Sequence, residues 1–365
     1  MKILVATRGH SPDDDRIFHK EIRSLLKHGH EVTLVTRIQQ TVDSGLPRFR
    51  NLALGPIGVV QFSKELQTLA REWQPAALQI HEFDLLVAAG RIKRELGIPI
   101  IYDVQDAHKE MWATFSSKPP LIKHIINQGL LQFEKRHLKY VDRVSALSPH
   151  IQRQYQKWGL KVVLVPNYPH LISIDLNIPR EPLVIYHGQL SVKRGIPLLV
   201  SAFAGVVAAV PEARLEIYGN EWVPGLVQRL HASINHIGMG KSIAIKPTIP
   251  YQNILMRLTG ARVGVIPFTD APLFRVAPPN KLYEYMLCGC AVAASDLPVL
   301  REQGKTAVYF VPPDDAEALT TALIRLLRDE DLRRSLTRQG RQLIESLYHW
   351  ELVEPEYLTI YEELA

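Results

Sequence analysis

Ala277-Pro278-Pro279-Asn280-Lys281-Leu282-Tyr283-Glu284-Tyr285-Met286-Leu287-Cys288-Gly289, followed by the apolar run Ala291-Val292-Ala293-Ala294, decides how this chain is read. The two prolines fix an extended approach and a first helical turn, where a missing N–H costs nothing. Leu282, Tyr285 and Met286 fall on one side at helical spacing, whereas Asn280 and Glu284 stack at i, i+4 on another. Gly289 ends the helix, and the run at 291–294 follows as a buried strand. A helix start at the mouth of a sheet favours phosphate, and Lys281 adds a positive charge there. Glu284, one turn deeper, can accept two hydrogen bonds from a diol such as ribose. Together the two features predict a nucleotide ligand.

Short apolar runs of the same kind recur along all 365 residues. They lie at 3–6, 32–35, 77–80, 98–102, 144–147 and 162–165, and again at 183–186, 215–218, 243–245, 263–267, 291–294 and 308–311. Amphipathic helical patterns such as 16–28 and 316–328 separate them. That alternation predicts an α/β chain with two parallel sheets of six strands, each covered on both faces. A proline-rich, aperiodic segment at 166–182 separates the halves. The expected organisation is two Rossmann-like doubly wound domains, 1–170 and 171–345, facing a central cleft. Apolar residues at helical spacing predict a last helix within 346–365.

Composition narrows the class. A 46% apolar content suffices for two cores, and no run reaches the length of a membrane-spanning helix. Cys288 and Cys290 exclude a disulfide framework and make a poor zinc site, so buried thiols in a reducing compartment are expected. The first residues enter a strand pattern directly and carry no signal-peptide core, which predicts a cytoplasmic protein. Residues 1–170 hold 24 Lys+Arg against 16 Asp+Glu, and residues 171–365 hold 19 against 21. A basic first half suits an anionic partner, such as a membrane surface or a phosphorylated acceptor. The surplus is modest and no aromatic–basic alternation accompanies it, so nucleic acid is not expected.

In doubly wound sheets, ligands meet residues just beyond the strand ends. Gly188 closes one such strand, and Lys193-Arg194-Gly195 lies in the loop that follows. Gly188 lets the backbone approach a ligand, and the two cations can neutralise a diphosphate. Asp13-Asp14-Asp15 and Asp314-Asp315 read as turn and cap residues, with no metal site expected.

With these residues on the page, the chain resembles the retaining glycosyltransferases of the GT-B fold, family 4, over nearly its whole length. The first half carries Asp15-Arg16-Ile17, Gly29-His30-Glu31-Val32, Ile80-His81-Glu82-Phe83-Asp84, Tyr102-Asp103-Val104-Gln105-Asp106 and Val165-Pro166-Asn167. The second carries the 188–195 loop, Leu215-Glu216-Ile217-Tyr218-Gly219 and the 279–289 helix, the most specific of the set. The resemblance implies a nucleotide-sugar donor on the second domain and an acceptor on the first, with the last helix, within 346–365, crossing back to the first domain. It implies that Glu284 grips the ribose hydroxyls, that Lys193 or Arg194 meets the diphosphate beside Lys281 and Asn280, and that Thr248 and Ile249 lie at the base. Asp15, His81, Gln105, Asp106 and His108 fall on the acceptor side. No cofactor or metal is implied, because basic groups neutralise the leaving diphosphate.

Three positions depart from the family pattern. Val276 stands eight residues before Glu284, where a first carboxylate usually meets the donor sugar, so the sugar is left open. Gln105 replaces the usual histidine, which moves any proton transfer to Asp106 or His108. The glycine loop after the first strand reads Gly9-His10-Ser11-Pro12-Asp13-Asp14-Asp15, where Asp15-Arg16 is expected to cap the next helix. The resulting expectation is transfer, with retention, of a sugar to a hydroxyl of a glycan or lipid-linked acceptor in cell-envelope polysaccharide synthesis. Its expected location is the cytoplasm, with the inner face of the membrane as a peripheral site. Trp112, Phe115 and the basic, apolar stretch from Lys118 through Arg136 form either that membrane-facing edge or a helix packed on the sheet. Two other readings stand beside this one: a nucleotide-sugar epimerase of the same shape, and a non-catalytic nucleotide-sugar-binding partner subunit.

Overall fold

A computed structural model describes residues 1–40, 42, 45–176 and 178–364. The chain divides into two compact units, Met1–Asn167 with Trp350–Ala365 and Tyr168–His349. The changeovers fall at 167/168 and 349/350, a few residues from the expected 170/171 and 345/346.

The first unit is built on seven strands: β1 (Lys2–Thr7), β2 (Glu31–Thr36), β3 (Phe49–Ala53), β4 (Ala77–Ile80), β5 (Ile100–Val104), β6 (Arg143–Ala146) and β7 (Val162–Leu164). All neighbours are parallel, in the order β3-β2-β1-β4-β5-β6-β7. Six strands had been expected here. The seventh, β3, is an edge strand whose residues are half-buried to exposed, so Arg50 and Asn51 break the apolar run that marks the others. The fourth run begins at 100 rather than 98, and the Pro99 carbonyl still accepts a ladder bond from Leu78 N.

The second unit holds β8 (Glu181–His187), β9 (Arg214–Tyr218), β10 (Ile243–Lys246), β11 (Ala261–Ile266), β12 (Ala291–Ser295) and β13 (Val308–Val311). Its order is β10-β9-β8-β11-β12-β13, again parallel. Both sheets reverse direction beside their first strand, between β1 and β4 and between β8 and β11. Loops diverge there and leave room for a ligand.

The last helix, Trp350–Glu362, packs within the first unit. Trp350 Nε1 donates to Ser24 Oγ at 3.1 Å, and Tyr357 Oη donates to the buried Gln79 Oε1 at 3.1 Å. Trp350, Tyr357 and Tyr361 are fully buried, so this helix completes the core beside β7 and reaches Gln79 of β4.

Candidate active site

The deciding helix runs Asn280–Leu287, and Lys281 through Leu287 are all buried. It packs hard against β11: a Cβ at Gly264 would lie 2.4 Å from the Tyr285 ring. That closeness turns Lys281 and Glu284 toward the carboxyl end of β8. Glu284 Oε2 lies 3.0 Å from His187 Nε2, and the Tyr285 hydroxyl accepts from His187 N at 3.3 Å. His187, at the end of β8 and immediately before Gly188, is a strand-end polar residue of the kind the sequence marks, although no role at this site was assigned to it.

Lys281 is the most unusual group in the unit. Its Nζ has no hydrogen-bond partner and sits 4.0 Å from the Tyr186 ring centroid and 5.1 Å from that of Phe268. Burial pushes its pKa well below the usual lysine range; Arg194 pushes it further and Glu284 opposes. An amine held against aromatic faces without an oxygen partner is placed to take a proton and pair with an arriving anion. Gly188, at φ 115°, borders the same point: a Cβ there would stand 3.1 Å from Lys281 Nζ. The glycine therefore keeps the approach to the amine open.

The loop after β8 is held as firmly. Gly195 adopts φ 72°, and a Cβ there would fall 1.6 Å from the Pro267 carbonyl oxygen. Thr269 donates through N and Oγ1 to the Lys193 carbonyl at 3.1 and 2.9 Å. Arg194 lies over the rings of Phe268 and Phe274 at 5.9 and 5.8 Å, with Nη2 donating to Gln189 Oε1 at 3.1 Å. Lys281, Arg194, Gly188 and Glu284 are thus gathered at one switch point. Lys193 is exposed on the loop, and Asn280 is exposed at the helix start. Thr248 and Ile249 follow β10, two strands from β8 and so about 10 Å across the sheet.

In the first unit the residues expected on the acceptor side separate into a buried layer and a loop layer. His81 Nδ1 lies 3.0 Å from Asp103 Oδ2, and Gln105 Nε2 lies 3.0 Å from that same oxygen. Arg16, almost fully buried, places Nη2 2.7 Å from Asp103 Oδ1 and Nε 2.8 Å from Glu21 Oε1. Burial pushes the Glu21 carboxyl up, with Asp103 adding and Arg16 opposing; burial would also raise Asp103, but Arg16 and His81 hold it low. Glu21, His81 and Asp103 are spaced to hold a metal ion. Arg16 already supplies the positive charge between the two carboxylates, so the donor set reads as a closed ion-pair core.

Above that core lies the loop after β1. Glu82 accepts from Thr7 Oγ1 at 2.6 Å, Arg8 N at 3.0 Å and Gly9 N at 2.9 Å, with His10 Nδ1 at 3.1 Å. Burial would raise its pKa, but His10 and these donors bring it down to about 2. His10 is raised in return: burial lowers it, and Glu82, Asp14 and Asp106 outweigh that. Asp106 is exposed after β5, and His108 Nε2 lies 3.4 Å from the Tyr102 hydroxyl. His10 and Glu82 stand in strand-end segments quoted from the sequence, but neither was assigned a role there.

The expectation that Asp15-Arg16 caps the following helix is corrected. Asp14 Oδ1 accepts from Arg16 N and Ile17 N, both at 2.9 Å. Asp15 pairs with Lys20, whose Nζ also donates to Asn167 Oδ1 at 2.7 Å. Asp315 caps the helix Ala316–Arg328 through Ala318 N at 2.9 Å.

Two parallel-sheet units of this build, each with its polar residues at a switch point, define the GT-B class of glycosyltransferase. The family models agree: the glycosyl transferase 4-like domain matches residues 16–168 and glycosyl transferases group 1 matches 172–343. The chain belongs to the GT-B glycosyltransferases of family 4 and is a transferase that uses nucleotide sugars. Among similar proteins, phosphatidyl-myo-inositol mannosyltransferase of Mycobacterium leprae is 23% identical, covering 85% of this chain and 80% of its own. Sucrose-phosphate synthase of Thermosynechococcus elongatus superposes with TM-score 0.77 at 18% identity, over 100% of this chain and 98% of that one. Anabaena HepE in complex with UDP-glucose gives 0.75 at 14% identity, over 100% of both chains.

Proposed function

We propose that this chain transfers a hexose, with retention and without a metal ion, from a nucleotide-diphosphate sugar to a hydroxyl of a glycan or lipid-linked acceptor in cell-envelope synthesis. The observation that carries the proposal is the unpartnered Lys281 amine beside Gly188, with Arg194 on the same Phe268 ring. Breaking the bond from sugar to diphosphate leaves negative charge on the phosphate. Lys281, Arg194 and the first N–H groups of the helix would stabilise that charge as it develops, with Lys193 on the loop above. Glu284, oriented by His187, would hold the ribose diol. Retention follows from the family's front-side attack, in which the leaving phosphate takes the proton of the acceptor hydroxyl.

A lipid-linked acceptor is favoured by one further observation. On the helix Pro120–Leu138, Leu121 and Ile125 are 72% and 61% exposed, and Lys118 and His124 lie exposed beside them. An apolar ridge beside an exposed lysine suits an anionic lipid surface. The mycobacterial relative, by its name, acts on a phosphatidyl-myo-inositol. No helix among the described residues is long and apolar enough to cross a membrane, so such contact would be peripheral.

The test is turnover of a panel of nucleotide sugars in excess chelator, with and without lipid extract, followed by NMR of the product's anomeric centre. Nucleotide release that requires extract and gives the donor's own anomeric configuration is expected. Conversion of the sugar without any acceptor would instead favour an epimerase, and binding without turnover a non-catalytic subunit. An inverted product would refute retention, and turnover abolished by chelator would refute metal independence.

A further inference from the structure

The second unit has a cavity of about 640 Å³ at the amino ends of its strands, and five arginines line it against a single carboxylate, Glu330. Arg180 precedes β8, Arg262 is the second residue of β11, and Arg333, Arg334 and Arg338 lie on the helix Glu330–Leu347. Lys281 and Gly188 sit at the opposite, carboxyl ends. Seven-residue β8 separates the two places by roughly 20 Å at the usual rise per residue.

Three of these guanidiniums are anchored by backbone carbonyls. Arg180 Nη1 donates to Ala261 O at 3.0 Å and Nη2 to Cys288 O at 2.9 Å. Arg262 donates through Nε to Arg180 O and through Nη1 to Leu327 O, both at 3.2 Å. Arg333 Nη1 donates to Leu326 O and Leu327 O at 2.9 and 2.8 Å. Closing the carboxyl end of the helix Ala316–Arg328 explains one edge of Arg262 and of Arg333. Their other N–H groups, Nη2 of Arg262 and Nε and Nη2 of Arg333, have no partner among the described residues. The two guanidiniums converge on the single Leu327 carbonyl with no carboxylate between them. Burial and the nearby Arg262 hold Arg333 below the ordinary arginine range, with Glu330 and Asp329 opposing.

The outer wall is looser. Arg334 Nη2 pairs with Glu330 Oε1 at 2.6 Å on the surface, and Arg338 is exposed without a partner among the described residues. Ile178 and Pro179 give the cavity an apolar side. Converging, pre-anchored guanidinium forks match phosphate oxygens bidentately. The volume exceeds what orthophosphate fills and lies in the range of organic ligands.

We propose that this arginine cavity is a second anion site, separate from the donor site, that takes a phosphoryl group carried on a larger molecule. Two sources share that chemistry: a free organic di- or monophosphate, and the headgroup of an anionic lipid. Calorimetric titration of the full chain with inorganic pyrophosphate and, separately, with soluble dihexanoyl phosphatidylglycerol distinguishes them. The expected result is a binding event, for one probe or both, that survives Lys281→Ala and is weakened at least tenfold by Arg334→Glu with Arg338→Glu. Both of those residues are exposed, so an unchanged melting temperature confirms that the double variant folds, and Arg333→Ala should weaken the same event. A response to pyrophosphate alone identifies a free phosphate as ligand, and a response to the lipid identifies a headgroup. Absence of any event that survives Lys281→Ala, or an isotherm unchanged by the double substitution, overturns the proposal. Neither outcome bears on the donor site, which Lys281→Ala reports on alone.

Discussion

Replacing Lys281 by methionine should make the ligand-free protein more stable and the nucleotide-bound state weaker. The amine is buried without a hydrogen-bond partner, which costs about 1–3 kcal/mol, and its contacts with Tyr186 and Phe268 return part of that. Methionine keeps the length and the ring contacts and removes the desolvated nitrogen. A net gain of about 1–2 kcal/mol follows, seen as a rise of roughly 1–3 °C in melting temperature for a chain of this size. Binding should move the other way. One charge-assisted hydrogen bond to a diphosphate is worth about 1.5–3 kcal/mol, so nucleotide affinity should fall roughly 10- to 150-fold. The proton adds an independent readout. Because the folded-state pKa of Lys281 is depressed, the unfolded chain holds a proton that the folded chain has released. Stability therefore rises with pH between the folded and unfolded values, and the methionine variant lacks that slope. A bound diphosphate restores the charge, so wild-type binding takes up a proton. Calorimetry in buffers of different ionisation enthalpy would show it, and the variant would not. A lower melting temperature together with unchanged nucleotide affinity would refute the assignment of Lys281 to the diphosphate.

Three further outcomes follow from the same geometry. Glu284→Ala should weaken nucleotide binding at least tenfold, about 1.4 kcal/mol, and equal affinity in a direct titration would remove Glu284 from the ribose site. Glu82, held down to about 2 by its donors, gives stability that is complete above its ordinary value near 4.5 and is lost as pH falls toward 2. Glu82→Gln should cost about 3 kcal/mol at pH 7 and flatten stability between pH 4.5 and 2; denaturant titrations at pH 7 and 3 measure both. Gly195→Ala places a Cβ 1.6 Å from the Pro267 carbonyl oxygen at φ 72°, so a loss of about 2 kcal/mol or more, with weakened nucleotide binding, is expected from melting and titration. An alanine variant as stable as wild type would show that the loop relaxes freely.

What could be read ahead of the structure depended on how local its cause is. Buried parallel strands announce themselves as short, mainly apolar runs, and twelve of the thirteen strands among the described residues do so, Gln79, Ser145 and Glu216 each interrupting one. The exception, β3, is an edge strand, where one covered face is enough and polar residues intrude. The helix at 280–287 was equally legible, because its prolines, its i, i+4 polar pair and its closing glycine all lie within 13 residues. The state of Lys281 was not, since its isolation depends on Tyr186, Phe268 and Gly188, which reach it through β8 and the β11 loop. Arg16 shows the same limit more sharply. Beside three aspartates it reads as a surface cap, yet it is buried against Asp103, whose carboxyl also meets His81, just beyond β4, and Ser145 of β6. A sequence pattern places each such residue at a strand end, and only the order of the strands decides which ends meet. Because that order reverses beside β1 and β8, the charged residues of distant segments gather there. It also leaves the carbonyls at the opposite ends of β11 and the helix Ala316–Arg328 to the arginines, which no local motif would have assembled.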